Sequence, residues 1–164
     1  MAAIYTTPRT WTAAELVTAS IMNTHVRDNL DYLKGRPVAR FADLDGTVAS
    51  TTSTSFVDLT GASVSITTSG SSRLLILAQG VWSVNVDLTT AYAAVLIDGT
   101  NQGDATLGSL HNQMRIAAMQ TPWTIAFVTS AAVSDGAHTV KLQYRVSANT
   151  LTVQQISFAV LEVF

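Results

Sequence analysis

The sequence predicts a mainly β protein: an antiparallel β-sandwich preceded by an extended arm and one α-helix. Three observations carry this. From Phe56 onward apolar residues recur at every second position, the period of a half-buried strand. No helical periodicity separates these runs, so the strands cannot be joined by crossover helices. The start and stop signals of a helix occur once, between Thr12 and Pro37.

Residues 1–12 read as an extended arm, because Pro8 lacks an amide donor and pushes its predecessor out of the helical region. Thr12-Ala13-Ala14-Glu15 fits a capping box, in which the Thr hydroxyl takes a backbone amide and the Glu reaches back. Thr18 offers a second start, so the first turn can be separate. The helix stops where Lys34 suits its negative end, Gly35 can take a left-handed conformation and Pro37 cannot continue it. Leu16, Ala19, Asn23, Val26, Leu30 and Leu33 fall on alternating three- and four-residue steps, a heptad stripe in which Asn23 would be the register-fixing polar position. Met22, Val26, Leu30 and Leu33 also make an ordinary amphipathic face that could pack on the chain's own sandwich.

Residues 36–53 read as a polar linker and residues 54–164 as the sandwich. Residues 73–86 predict a long strand with Leu74, Ile76, Ala78, Trp82 and Val84 on one side and Leu75, Leu77 and Val81 on the other. Further strands are expected over 91–97, closed by the turn Asp98-Gly99, then over 114–119 and 123–133, with Asp135-Gly136 as a hairpin signal. Residues 139–147 alternate cleanly, with Val140, Leu142, Tyr144 and Val146 inward and Lys141, Gln143 and Arg145 toward water. The last strand, 151–164, is apolar on both faces: Phe158, Val160 and Phe164 against Ala159, Leu161 and Val163. Two-sided strands in a small sandwich call for a second partner surface, and the small residues Ala93, Ala126 and Ala159 would let identical sheets approach. A closed homo-oligomer is the simple solution.

Composition points the same way. Only 12% of residues are charged, with a net charge of -2, while 48% are hydrophobic. A typical soluble domain carries about 25% charged residues. No basic run could neutralise phosphates, so nucleic acid is not an expected partner. There is no cysteine, which excludes disulfides and thiolate chemistry. The start lacks a basic segment followed by an apolar one, and no apolar run reaches the roughly 18 residues needed to span a bilayer. Neither a signal peptide nor membrane insertion is expected, and synthesis in a cytosol is.

The pattern running from Trp11 through Glu15, Thr18-Ala19 and Asn23 to Arg27-Asp28-Asn29-Leu30 resembles the N-terminal segment of many tailed-bacteriophage virion proteins. Looser words in the remaining chain, among them Ser55-Phe56-Val57-Asp58-Leu59-Thr60-Gly61, Leu96-Ile97-Asp98-Gly99 and Gly136-Ala137-His138-Thr139-Val140, resemble the trimeric jelly rolls of the tumour-necrosis-factor and complement-like group. Together these resemblances imply a jelly-roll-like sandwich, a homotrimer and a non-enzymatic role in a phage particle, assembled in the host cytoplasm. Two placements follow: a tail or fibre knob that touches a host-surface glycan or receptor, and a capsid decoration protein anchored on the major capsid protein through its arm. Trp11, Leu16, Ala19, Asn23, Val26, Leu30 and Leu33 form the expected oligomer or anchor interface, with Trp11 plugging a pocket on its own or a sister subunit. The candidate ligand loop spans 98–112, with Asn101, Gln102, Asp104, His111 and Asn112 as hydrogen-bonding groups.

Other chemistry reads as weak. Asp43-Leu44-Asp45-Gly46-Thr47 spells the first motif of haloacid-dehalogenase-like phosphatases, but the polar residues 36–41 do not suit the buried parallel strand that motif requires, and no helix–strand alternation follows. A polar turn is the expected reading. A calcium loop would need a Glu after Gly46, which is absent. His25, His111 and His138 lack metal-ligand spacing, and His25 is expected on the exposed side of the helix. No Gly-x-Ser-x-Gly and no phosphate-binding glycine loop occur. A carbohydrate-active jelly-roll enzyme would need paired carboxylates from Asp58, Asp87, Asp98, Asp104 and Asp135 in one cleft. No catalytic residue, metal or cofactor is expected.

Overall fold

A computed structural model describes residues 6–43, 46, 49–69 and 72–163. Helical residues 19–34 comprise α1 (Ala19–Met22), a π-helical turn (Asn23–Arg27) and α2 (Asp28–Lys34). Ten strands follow: β1 (Val38–Asp43), β2 (Ala49–Thr51), β3 (Val57–Thr68), β4 (Arg73–Val84), β5 (Thr89–Ile97), β6 (Thr100–Asn101), β7 (Leu110–Met114), β8 (Thr121–Val128), β9 (Gly136–Val146) and β10 (Leu151–Val163).

The strands form two antiparallel sheets. The first runs β1-β10-β4-β8, with β2 also paired to β10. The second runs β3-β9-β5, with β6 and β7 sharing the far edge of β5. Counting only the eight longer strands in chain order, the sheets read 1-8-3-6 and 2-7-4-5. This is the interleaved order of a jelly roll, in which all sequence neighbours but strands 4 and 5 sit in opposite sheets. The expected fold class is therefore the observed one. Between the sheets lies one core, with Trp82, Phe158, Leu74, Ile76, Leu142 and Val95 fully buried. Trp82 and Trp123 pack ring to ring at 5.3 Å, as their strand positions predict.

Several boundaries differ from the sequence reading. The segment 36–53, read as a linker, supplies β1 and β2. Ala39 and Phe41 pack on the core while Val38 and Arg40 point outward, so a hexapeptide with two charges still meets the alternation of an edge strand. The strand expected over 114–119 is instead β7 (Leu110–Met114), and β8 ends at Val128. The Asp135-Gly136 turn closes no hairpin: β8 pairs with β4 in one sheet, β9 with β3 and β5 in the other. By contrast Asp98-Gly99, both with positive φ (49° and 82°), closes the β5–β6 hairpin as a type I′ turn requires.

The helix starts later than the capping box suggests. Only half of that box forms: the Thr12 amide donates to Glu15 Oε2 at 3.3 Å, while the Glu15 amide donates to the Thr12 carbonyl rather than to its hydroxyl. Ala14, however, has φ +61°, and this left-handed residue stops the turn from propagating. The working cap is Thr18, whose hydroxyl accepts from the Ile21 amide. The π turn, in which the Asp28 amide reaches the Asn23 carbonyl, inserts one extra residue and rotates α1 relative to α2.

Candidate functional site

The N-terminal segment is built around two contacts. Asn29 is buried, and its side-chain amide binds Thr6 twice, accepting from the Thr6 N–H and donating to the Thr6 carbonyl, both at 2.8 Å. It thus imitates a strand edge and lays the arm along the helix. Tyr32, 4% exposed, is the helix residue sealed against the sandwich. It faces the hydroxyls of Ser69 and Ser72 and the carboxylate of Glu162, and burial followed by the nearby carboxylate raises its pKa above the ordinary tyrosine value. Glu162 is itself buried, accepting from the Ser69 N–H and the Ser72 hydroxyl through Oε1.

The heptad-stripe residues face outward from the single subunit. Leu16 is 81% exposed and Leu30 60%, and Ala19, Asn23, Val26 and Leu33 are exposed with them. Leu16 precedes α1, and the π turn falls between Ala19 and Leu30, so these residues form two short patches rather than one straight seam. Trp11 is 44% exposed and is not sealed in a pocket formed by the described residues. The Arg9 guanidinium lies 5.1 Å above its ring and is ion-paired with Glu15. The indole is therefore held in place while most of the arm around it remains open. His25, expected on the exposed side, is half-buried, with its Nδ1 inside.

The outer faces of the two sheets differ in kind. On the β3-β9-β5 sheet the outward residues are largely polar: Ser63, Ser65 and Thr67 beside Thr139 and Lys141, with Asp58 held at 2.7 Å by both Lys141 and Gln143. The Lys141 and Gln143 hydrogen bonds keep the Asp58 carboxyl below its ordinary pKa. The outward apolar pair there, Ala94 and Leu96, is already buried within the subunit. On the β1-β10-β4-β8 sheet, register aligns Val38, Leu161, Leu75 and Val128 in one row across the strands. The next row aligns Arg40, Ala159, Leu77 and Ala126. The row beyond holds Ser157, Gln79 and Thr124. Val38, Val128 and Leu77 are 61%, 46% and 41% exposed. Of the three small residues expected to let sheets approach, Ala126 and Ala159 lie on this face, whereas Ala93 points between the sheets into the core.

The candidate ligand loop is consumed largely by its own architecture. Asn101 lies in β6; its Oδ1 accepts from the Gly103 amide and its Nδ2 donates to the Asp104 carbonyl. Gln102 bonds the Thr100 carbonyl. Asp104 Oδ1 accepts from the Leu107 and Thr106 amides at 2.7 Å each, which holds its carboxyl below the usual range. His111 and Asn112 are strand residues of β7. His111 is exposed and stacks on Tyr92 at 6.2 Å. Arg145 covers Tyr92 at 3.6 Å and reaches back to the Thr106 carbonyl. This His111–Tyr92–Arg145 ladder escaped the sequence reading because its members are far apart in the chain and meet only through register.

Asp98, which is exposed, and His138, which is buried, form the one acid–imidazole pair among the described residues. Nδ1 faces Asp98 Oδ2 at 2.6 Å, and Nε2 faces the backbone carbonyl of Ser134 at 2.9 Å. A carbonyl, not a serine hydroxyl, occupies the second nitrogen, so the pair lacks the nucleophile of a triad. The Asp residues weighed for catalysis are dispersed: Asp58 binds Lys141, Asp87 the Ala117 amide, Asp98 His138 and Asp104 its own loop. Asp43 ends an antiparallel edge strand, and Leu44, Asp45, Thr47 and Val48 lie outside the described residues. No group of three potential metal ligands occurs among the described residues, and no helix there is long and apolar enough to cross a membrane.

No protein-family profile matches the chain, and no curated protein matches it. Solved structures do. The structure of the infectious bursal disease virus Gx strain superposes with a TM-score of 0.55 at 18% identity, over 77% of this chain and 32% of that one. The VP2 subviral particle of infectious bursal disease virus gives 0.50 at 16% identity over the same shares. What is shared is the fold. The chain spans about a third of the length of these two structures.

Proposed function

We propose that this chain is a non-enzymatic structural component of a tailed-phage particle, a homotrimer whose jelly roll forms a knob and whose arm and helix attach it to the assembly. The observation that carries this reading is the set of apolar surfaces left uncovered on one subunit: Trp11, the stripe residues of the helix and the outer face of one sheet. Surfaces of this size mark interaction sites rather than ordinary solvated protein. The virus-particle likeness of the fold and the phage-type N-terminal segment support the same reading. Three linked copies would present three arms at once, so weak individual contacts combine into strong attachment.

A tail or fibre position fits the N-terminal segment best, with His111 and the neighbouring loop as the outward surface for a host glycan or receptor. The second reading, capsid decoration through the arm on the major capsid protein, is favoured by the direct join between α2 and β1, which leaves no shaft between anchor and knob. Light scattering is expected to give three times 17.4 kDa, and deletion of residues 1–35 is expected to abolish incorporation into particles. A truncated knob that still incorporates would remove the anchor assignment, and gold-labelled protein on intact particles separates tail from shell.

A further inference from the structure

We propose that the outer face of the β1-β10-β4-β8 sheet is the surface through which copies of this chain meet, so that the trimer seam runs down the sheet as well as along the helix. This rests on the reading of the chain as a homotrimer and adds the face that closes it. The occupant follows from the face itself. Its two apolar rows carry a single charge, Arg40 on the edge strand, and Arg73 stands beside Val163 in the row beyond Val38, so the bulk of the face calls for an apolar partner, and the polar outer face of the other sheet is ruled out as a complement. The rows are also graded along the strands, from Val38, Leu161, Leu75 and Val128, through the row of Ala159 and Leu77, to Ser157, Gln79 and Thr124. Rotation about an axis parallel to the strands keeps every row at its own height. Each row then meets an identical row, apolar on apolar, small on small and polar on polar, with Arg40 on the edge strand β1 left at the rim in water. A cyclic assembly of identical chains satisfies this grading without any further partner.

The dimensions agree. Strands about 4.8 Å apart and rows about 6.8 Å apart, with a helix rising about 1.5 Å per residue, give sheet face and helix stripe roughly 600 Å² in plan. That approaches the about 800 Å² each partner contributes to a standard interface. The two patches are also continuous along the chain, since Leu33 at the end of α2 is five residues from Val38 at the head of the apolar row.

The absence of cysteine makes the test direct. Leu77→Lys places a charge on the face at an already exposed position, and Ser65→Lys does the same on the opposite sheet. The expected result is that Leu77→Lys lowers the light-scattering mass threefold, to that of one chain, with the circular dichroism of the β-sandwich unchanged, while Ser65→Lys leaves the trimer intact. A folded Leu77→Lys protein that keeps the wild-type mass overturns the assignment but leaves the trimer reading standing. Wild-type protein of one-chain mass removes both. Should Leu77→Lys fail to fold, Ala159→Cys and Ser65→Cys decide through a short bis-maleimide. Cross-linking of Ala159→Cys alone supports the face, and equal or reversed cross-linking overturns it.

Discussion

His138 illustrates how much one side chain can depend on two oxygens. Its ring is buried, and both nitrogens face acceptors, an arrangement that only the doubly protonated ring satisfies. The Asp98 hydrogen bond accordingly raises the His138 pKa, and His138 lowers that of Asp98. The imidazolium's contribution to stability is complete below the unfolded histidine value, about 6.5, and is lost as pH rises through the higher folded value. The carboxylate's contribution is complete above about 3.9 and is lost as pH falls through the lower folded value. The difference in Tm between wild type and His138→Gln is therefore expected to peak between about pH 4 and 6.5 and to shrink on both sides. A pH-independent difference would mean the ring is neutral throughout. Gly80 makes the opposite kind of demand. A Cβ there would meet the Gln155 carbonyl at 2.4 Å and the Trp123 ring at 2.8 Å, beside the irregularity between Val153 and Gln155. Gly80→Ala is expected to cost about 1–3 kcal/mol in chemical denaturation, the usual range for overpacking a filled site.

At the scale of elements, the helix and its strands were legible to different degrees. Strand faces could be read wherever alternation was strong: Val140, Leu142, Tyr144 and Val146 inward, Lys141, Gln143 and Arg145 outward. The two-sided character of β4 and β10 was equally visible. What local residues do not encode is which sheet a strand joins, so the crossing after β8 passed for a hairpin and β1 passed for a linker. The helix was legible at its end, although Gly35 has φ −115° rather than a left-handed value, and in its second start, Thr18, but the first start could not be discarded because nothing in the sequence marks Ala14 as left-handed. The π turn was invisible for the same reason, and it divides the heptad stripe at its middle. Asn23 opens that turn and is exposed. If it faces a sister helix, Asn23→Leu is expected to raise the thermal midpoint of the assembled protein and to broaden its oligomer distribution. No change in either would place Asn23 against solvent in the assembly. The candidate site was legible only as residue types. Asn101, Gln102 and Asp104 look like free ligand groups in the sequence, yet register and tight turns use them internally.

For the whole molecule, the division between anchor and knob has a mechanical meaning. The helix joins the sandwich through Tyr32, while the core of the knob is made by strands from β1 onward. Removing residues 1–35 therefore leaves every core residue of the sandwich in place and uncovers Glu162. The truncated protein is expected to keep its far-ultraviolet dichroism and a cooperative melt, with a Tm below that of the full chain. Loss of cooperative melting would show instead that the helix is part of the folding unit.

The position of β10 carries a consequence for biosynthesis. It lies between β1 and β4, so the penultimate position of the first sheet stays vacant until residues 151–163 have left the ribosome. Until then β1 has no partner in its sheet and β4 lacks one edge, although β1 ends 108 residues and β4 67 residues before β10 begins. Nascent chains thus expose two unsatisfied strand margins for much of translation, and chaperone engagement during synthesis is where the cost of this topology falls.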